Sequence, residues 1–314
     1  MKICMLFPEY GSQFVGMGKE LYDESRIMQE FFEEASGCLP INFVKLCFAS
    51  SDVELAKPVH AYPSLFLISC SIAQILKAEG IMPDAVAGHG IGEYAAMHAA
   101  GGLNFPDGLY LLNKYAALYQ ELLASAQFSS IHVTGVASNV VEKLCEAFCN
   151  AGLHISIAIY DAQQNFVVAG HAQAVEEIRA NIREQSGVAK VVPIEIGLHS
   201  MLMQNVVENF KMYLEKVDFK DIAVPLLACT NGHELQKASE LREQVMKTIE
   251  EPVRWDNVMT ALQDYDLILE VGPGSSLSAV VQAKYPDKKV ISVSKPADVM
   301  LVKEIIAERD KQTE

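Results

Sequence analysis

The stretch that most constrains the fold is VAGHGIGEY, residues 86–94. An apolar run precedes it and an alanine-rich run follows, which predicts a strand, a sharp turn and a helix. Gly88 and Gly92 match the flanking glycines of the nucleophile-elbow pattern G-x-S-x-G, in which a serine stands on the turn. That serine's position holds Gly90. Because glycine has no side chain, no covalent intermediate can form there.

The rest of the chain alternates between strand-like and helix-like patterns. Short apolar runs predict strands, and longer amphipathic stretches predict helices. The predicted strands are 3–7, 85–89, 223–230, 266–271 and 289–294, and the predicted helices include 15–36, 63–79, 107–124 and 199–216. Strands followed by helices imply an α/β fold with a mostly parallel sheet.

A second unit interrupts this pattern. Residues 129–196 read as strand, helix, strand, strand, helix, strand, and this βαββαβ order is typical of a ferredoxin-like unit. We therefore predict a large α/β-hydrolase-like domain of residues 1–127 and 196–314. We also predict that a ferredoxin-like subdomain of residues 128–195 is inserted between the two parts of the large domain.

Composition narrows the function classes. The net charge of −15 over 314 residues argues against binding to nucleic acid or to an anionic membrane. We expect neither a membrane span nor a signal peptide, because the sequence offers neither a long apolar run nor a cleavage-site pattern. Seven scattered cysteines favour a reduced, cytoplasmic chain. Cys145 and Cys149 are one helical turn apart, but no further ligand completes a set, so no metal site is predicted.

Five stretches together resemble one known family. They are FPEYGSQFVGMG (7–18), AGHGIGEYAA (87–96), LHSMLM (198–203), PVRW (252–255) and LEVGPGSSL (269–277). On these the chain is similar, over nearly its whole length, to the malonyl-CoA:acyl-carrier-protein transacylase family. That family includes the acyltransferase domains of polyketide synthases.

The resemblance implies acyl transfer in two steps. A serine on the elbow takes an acyl group from coenzyme A and passes it to the phosphopantetheine thiol of an acyl carrier protein. No cofactor is implied; the ligand would be coenzyme A or a phosphopantetheine thioester, and the partner a carrier protein or a synthase of fatty acid or polyketide biosynthesis. The base position matches His199, with His89 beside the elbow. Backbone N–H groups near Tyr10 and Ile91 would form the oxyanion hole.

The chain departs from the family at several positions of the substrate pocket. The arginine that pairs with the malonyl carboxylate is replaced by Tyr115, so a dicarboxylic acyl group loses its anchor. The remaining replacements involve glutamine, asparagine and glycine: Tyr10 and Tyr62 each replace a glutamine, Thr248 another, Asp161 an asparagine, and Glu9 a glycine.

The coordinated loss of serine, arginine and amides predicts a homologue that does not transfer malonyl but binds an acyl or pantetheine group, a carrier protein or a synthase partner. One alternative is an ordinary S-malonyltransferase in which glycine was substituted for the natural serine at position 90. Another is a slow acyl-thioesterase that uses water activated by His199. Cys70, Ser12 and Ser200 are weaker candidates for a substitute nucleophile, because none stands on an elbow.

Overall fold

The computed structural model describes residues 1–125, 128–192 and 203–313. Its strands are β1 (Ile3–Phe7), β2 (Ala85–Gly88), β3 (Phe128–Thr134), β4 (Ile155–Ala162), β5 (Asn165–His171), β6 (Val188–Val191), β7 (Leu226–Leu227), β8 (Glu234–Leu235), β9 (Leu267–Val271) and β10 (Lys289–Val293). Its helices are α1 (Lys19–Glu24), α2 (Arg26–Cys38), α3 (Phe43–Ala49), α4 (Asp52–Leu55), α5 (Pro58–Ala78), α6 (Gly92–Ala99), α7 (Phe105–Ser125), α8 (Ser138–Asn150), α9 (Ala172–Glu184), α10 (Gln204–Leu214), α11 (Ala238–Glu250), α12 (Trp255–Ala261), α13 (Ser276–Lys284) and α14 (Pro296–Thr313).

The larger sheet has six strands in the order β10-β9-β1-β2-β7-β8. All neighbours are parallel except β7 and β8, so the predicted mostly parallel sheet is confirmed. β1 and β9 are fully buried, as the continuous apolar runs of a sheet covered on both faces require. The predicted strand 223–230 is much shorter here, because β7 pairs over two residues before the chain turns into β8.

Helix α5 runs through the middle of the large core. It begins at Pro58, five residues before the predicted start, and Pro63 lies inside it. Proline fits the first turn of a helix, because the N–H groups there have no acceptor within the helix. Pro58 takes this position in α5. By length and composition α5 could cross a membrane, but 83% of its most apolar window is buried inside the protein.

The second sheet has four antiparallel strands in the order β4-β5-β3-β6, with α8 and α9 connecting them. This is the predicted βαββαβ arrangement, and its own core lies between the sheet and the two helices. The exact domain boundaries stay predictions, because residues 126–127 and 193–202 lie outside the described part of the chain.

A short segment ties the two sheets together. Val253 forms a parallel bridge with Ile159 of β4: its N–H donates to Ala158 (2.9 Å), and its carbonyl accepts from Tyr160 (2.8 Å). The Arg254 guanidinium lies over the Tyr160 ring, 4.3 Å from its centre. The end of β4 is therefore fixed against the large domain, next to the turn after β2.

Candidate active site

The elbow turn lies where β1 and β2 end side by side. Phe7 is the register partner of Gly88, and the His89 N–H donates to the Phe7 carbonyl at 2.9 Å. A Cβ at Gly88 would lie less than 3.0 Å from the Glu93 backbone, and one at Gly92 would collide in the same way with the Phe7 carbonyl. Both glycines are thus required by close backbone approach. Gly90 itself has φ = 52°, the left-handed conformation of a tight turn.

The Glu9 carboxylate occupies the space above Gly90. A Cβ built at Gly90 would come well within 3.0 Å of Glu9 Oε2, with Glu9 Cδ at 3.4 Å and Cβ at 3.5 Å. Glu9 follows β1 just as His89 and Gly90 follow β2, and parallel strands bring their carboxyl ends to one edge of the sheet. A side chain at position 90 and the present Glu9 conformer therefore exclude each other.

Two carboxylates flank the imidazole of His89. His89 Nδ1 lies 3.0 Å from Glu9 Oε2, and Nε2 lies 3.4 Å from Asp161 Oδ1. The His89 ring also packs on Trp255, with ring centres 4.9 Å apart. Asp161 reaches this point because the bridge at Val253 fixes the end of β4. Four elements thus meet at His89: the turns after β1 and β2, strand β4, and the start of helix α12.

The carboxylates determine the protonation of His89. Burial alone would lower the pKa of His89, but the charge of Glu9, with a further contribution from Asp161, raises it to about 10. His89 is therefore an imidazolium at neutral pH and cannot act as a general base there. Its chemistry is that of a fixed positive charge between two anions.

Beneath the elbow, Glu93 of α6 is fully buried. Its carboxylate accepts hydrogen bonds from the Cys229 N–H (2.6 Å), from Gln244 Nε2 (3.0 and 3.1 Å) and from the Thr248 hydroxyl. Burial raises the pKa of Glu93 to about 7, against the lowering effect of these donors. Thr248, predicted at a substrate position, is itself buried and serves this network.

Four tyrosines fill the space beside Glu9. Tyr62 packs against Tyr10 and Tyr115 with ring centres 5.3 Å apart in each case, and it stacks on Tyr119 at 6.3 Å. The Tyr10 hydroxyl donates to the Ala56 carbonyl at 2.5 Å, which holds the ring in place. Burial raises the pKa of Tyr62 and of Tyr115 well above the usual range, and the charge of Glu9 contributes to both. This side of the site is therefore aromatic and uncharged.

Comparison with known proteins identifies this architecture. The family model of the acyl transferase domain matches residues 4–307. The chain belongs to the acyl transferase domain family. The predicted resemblance is therefore confirmed at the level of the family and the fold.

Relatives of this acyl transferase domain are similar over nearly their whole length. The malonyl CoA-acyl carrier protein transacylase of Bacillus subtilis (strain 168) is 29% identical over 313 residues, which cover 98% of either chain. The crystal structure of FabD from Acinetobacter baumannii is 26% identical and superposes with a TM-score of 0.93, covering 98% of this chain and 99% of that one. A malonyl-transacylase solved with its type II polyketide synthase acyl-carrier protein (PlMCAT:AntF) has a TM-score of 0.91 at 24% identity, with coverages of 96% and 98%.

The acyl transferase fold brings most of the predicted site residues together. Glu9, His89, Gly90 and Asp161 meet at the elbow, with Ile91 buried at the start of α6. Tyr10 and Tyr115 belong to the aromatic cluster beside them, and Thr248 lies in the Glu93 network below. His199 and Ser200 lie outside the described residues, so the predicted base and the thioesterase alternative stay predictions.

Two of the substitute nucleophiles proposed from the sequence, Cys70 and Ser12, lie in the described part of the chain. Cys70 is fully buried, and burial raises its pKa well above the usual range, so it is a thiol rather than a thiolate. Ser12 makes a turn, with its N–H donating to the Glu9 carbonyl at 3.1 Å. Neither has the environment of an activated nucleophile.

Sequence reasoning missed two neighbours of the elbow. Trp255 belongs to the PVRW motif, which gave no indication that the His89 ring would pack on it. Cys229 lies below the turn, where its sulfur accepts from the Gly90 backbone; burial keeps its pKa well above the usual range, so the thiol stays protonated. No sequence pattern marked Cys229 as a neighbour of the elbow. The sequence did show Glu9 in place of a glycine, but it could not predict that the Glu9 carboxylate lies over Gly90.

Proposed function

We propose that this chain is a member of the acyl transferase domain family that does not transfer malonyl, and that it binds the phosphopantetheine-linked group of an acyl carrier protein at the elbow. Binding without transfer is consistent with an intact turn that lacks a nucleophile. The proposal rests on the elbow, where the backbone is retained and the reactive side chain is absent.

The single observation that carries the proposal is the position of the Glu9 carboxylate. Glu9 Oε2 is too close to Gly90 for any Cβ to be added without moving Glu9. An acyl-serine would need this same space. Because both the glycine at 90 and the glutamate at 9 differ from the family pattern, the pair supports joint divergence rather than a single substitution at position 90.

The pocket residues support loss of malonyl transfer independently. Tyr115, at the position of the malonyl-binding arginine, is 2% exposed and surrounded by aromatic rings. The neighbouring Lys114 does not replace the missing charge, since its ammonium lies over the rings of Tyr110 and Tyr213 at 5.8 and 5.5 Å. Neither Tyr115 nor Lys114 therefore offers a malonyl carboxylate a cation to pair with.

The proposed partner follows from the relatives. The Bacillus subtilis relative is a malonyl CoA-acyl carrier protein transacylase, and a malonyl-transacylase of similar fold was solved with its acyl-carrier protein bound. The close backbone packing at Gly88 and Gly92 retains the turn at which the arm is proposed to bind. Fatty acid or polyketide biosynthesis is the corresponding context.

Intact-protein mass spectrometry tests the catalytic half of the proposal. The purified chain is incubated with malonyl-CoA and, separately, with acetyl-CoA, and the Bacillus subtilis relative serves as the positive control. We expect no acyl adduct on this chain and a malonyl adduct on the relative. A malonyl adduct on this chain would overturn the proposal.

Binding to a carrier protein tests the other half. Titration calorimetry compares the phosphopantetheine-loaded carrier with the same carrier lacking the arm. We expect the loaded carrier to bind at least tenfold more tightly, because the arm adds contacts in the cleft. Equal affinity of the two forms would show that the arm does not reach the elbow.

A further inference from the structure

A cavity lies towards the end of the parallel sheet that is opposite the elbow. Its volume is about 350 Å³, which falls within the range of roughly 300–1,000 Å³ typical of small-molecule sites. Its walls come from the middle of β1, the last turns of α5 and α6, the segment 81–83 before β2 and the segment 218–224 after α10. None of the elbow residues lines it, so the cavity is separate from the site described above.

The inner wall of this cavity is apolar. Met5, Ile81 and Leu103 line it, and their side chains are at most 2% exposed. Met82 lines it too, but its side chain is 50% exposed. Because a methionine side chain is flexible and polarisable, it can adjust to a bound apolar group. The cavity therefore has both a buried and an exposed apolar part, as a chain entering from solvent requires.

Two exposed lysines line the same cavity. Lys77 lies in the last turn of α5, and the N–H of Lys220 donates to the Gly102 carbonyl at 3.0 Å, which fixes the backbone there. Within the described part of the chain, the ion pairs of lysines involve other lysines, namely Lys19, Lys57, Lys237, Lys247 and Lys303. The ammonium groups of Lys77 and Lys220 are therefore available to a bound anion.

The other titratable groups of the cavity leave this positive charge in excess. Asp218 is the one carboxylate among the residues that line it, so two lysines and one aspartate give a formal charge of +1. His98 adds no charge at neutral pH, because burial lowers its pKa, and its Nδ1–H donates to the Leu103 carbonyl at 3.0 Å. Burial raises the pKa of Cys70, which stays a neutral thiol.

We propose that this cavity binds a carboxylate with a straight apolar tail, such as octanoate. The tail lies against Met5, Ile81 and Leu103, where its burial removes apolar surface from water. The carboxylate pairs with the ammonium groups of Lys77 and Lys220 at the mouth. The site goes beyond the proposed function, since it shares no residue with the elbow.

Three probes separate the contribution of the head group from that of the tail. Dissociation constants of octanoate, octylammonium and acetate are measured by titration calorimetry at pH 7 and low salt. We expect octanoate to bind at least about tenfold more tightly than octylammonium, because the lysines attract one head group and repel the other. Acetate should also bind at least about tenfold more weakly, since it has no tail. High salt should narrow the first difference.

A pair of double variants tests the two lysines. Lys77→Gln/Lys220→Gln should weaken octanoate binding at least about fivefold, because both ammonium groups are lost. Lys45→Gln/Lys143→Gln is the matched control, since it removes the same charge from exposed lysines of α3 and α8 that do not line the cavity. The control should leave the affinity unchanged.

A second pair of variants tests the apolar part. Met82→Gln should weaken octanoate binding at least about threefold, because the tail loses an apolar contact. Met300→Gln is the matched control on α14, where the side chain is similarly exposed at 56%, and it should have no effect. Circular dichroism melts check that all four variants are folded.

Three results would overturn the proposal. Equal affinity for octanoate and octylammonium would mean that the lysines do not select the head group. Unchanged octanoate binding in Lys77→Gln/Lys220→Gln would place the ligand elsewhere, and an absence of octanoate binding would remove the site. None of these results bears on the elbow, where titration with the carrier protein tests the proposed function separately.

Discussion

The carboxylates on the two sides of the elbow turn have different kinds of partner. Beneath the turn, Glu93 is satisfied by neutral donors from Cys229, Gln244 and Thr248. Above it, Glu9 faces the cleft and is paired with the charged ring of His89. The lower side supports a backbone conformation, whereas the upper side is where a reaction would take place.

The residues below the turn maintain the fold, whereas those above it stand where the family's reaction takes place. The lower side keeps the elements that a sharp strand-to-helix turn needs, namely close-packed glycines and a hydrogen-bonded carboxylate. On the upper side Gly90 has no side chain, and the Glu9 carboxylate lies where a Cβ at that position would be. The account therefore predicts large structural effects from changes below the turn and changes in charge balance from those above it.

The largest effect is expected where the backbone packs most closely. Gly88→Ala would force a Cβ into the Glu93 backbone, so we expect a loss of more than about 3 kcal/mol in the free energy of unfolding. Gly37→Ala is the control, since a Cβ at Gly37 in α2 meets nothing within 4 Å. The control should be neutral or slightly stabilising. Urea unfolding measures both, and equal stability of the two variants would contradict the account.

The second effect concerns the charges above the turn. The pKa of His89 is raised from 6.5 to about 10, so the folded state holds a proton that the unfolded chain releases between these values. The contribution of His89 to the free energy of unfolding is therefore complete below pH 6.5. It falls as the pH rises towards 10, by up to about 1.4 kcal/mol per pH unit.

The variant His89→Gln should remove most of this slope. Unfolding is measured at half-unit steps from pH 6 to 10 for the unmodified chain and the variant. A parallel pH dependence in the two proteins would mean that His89 is not the titrating group.

A smaller effect is expected from the hydrogen bonds below the turn. Thr248→Val removes a donor to the buried Glu93 carboxylate and should cost about 1–3 kcal/mol. Thr260→Val is the matched control on the surface of α12, where the hydroxyl donates to the Asp256 carbonyl, and it should cost less than about 0.5 kcal/mol. If the two substitutions cost the same, the Glu93 network contributes little.

The smallest effects distinguish two buried tyrosines. Tyr10→Phe removes the hydrogen bond to the Ala56 carbonyl and should cost about 1 kcal/mol. The Tyr94 hydroxyl is buried without a hydrogen-bond partner in the described part of the chain, so Tyr94→Phe should be neutral or slightly stabilising. Thermal melts of both variants give the comparison, and the reverse order would be evidence against it.

Much of the fold was predictable because it follows from local patterns. The elbow glycines, the parallel sheet and the βαββαβ unit all leave periodic or steric signatures in the sequence. The start of α5 was misplaced because Pro63 was taken to lie at the helix start, when Pro58 does. Strand β8 was missed since a two-residue strand has no period to detect.

The site was predictable only in part, because its key contacts join residues far apart in the chain. No local pattern predicts that Glu9, His89 and Asp161 lie together. The register of β1 with β2 and the bridge between Val253 and β4 bring them into contact. Thr248 was placed in the substrate pocket by resemblance, and that role stays a prediction; the structure adds that its hydroxyl donates to the Glu93 carboxylate.

The central claim is that Glu9 occupies the place of the missing serine, and the reactivity of a restored serine tests it most directly. Gly90→Ser and the double variant Glu9→Gly/Gly90→Ser are labelled with a fluorophosphonate probe, and the rate of covalent modification is followed by intact mass. The account predicts labelling at least tenfold faster in the double variant, because Glu9 obstructs the serine in the single one. Equal rates in the two variants would contradict it.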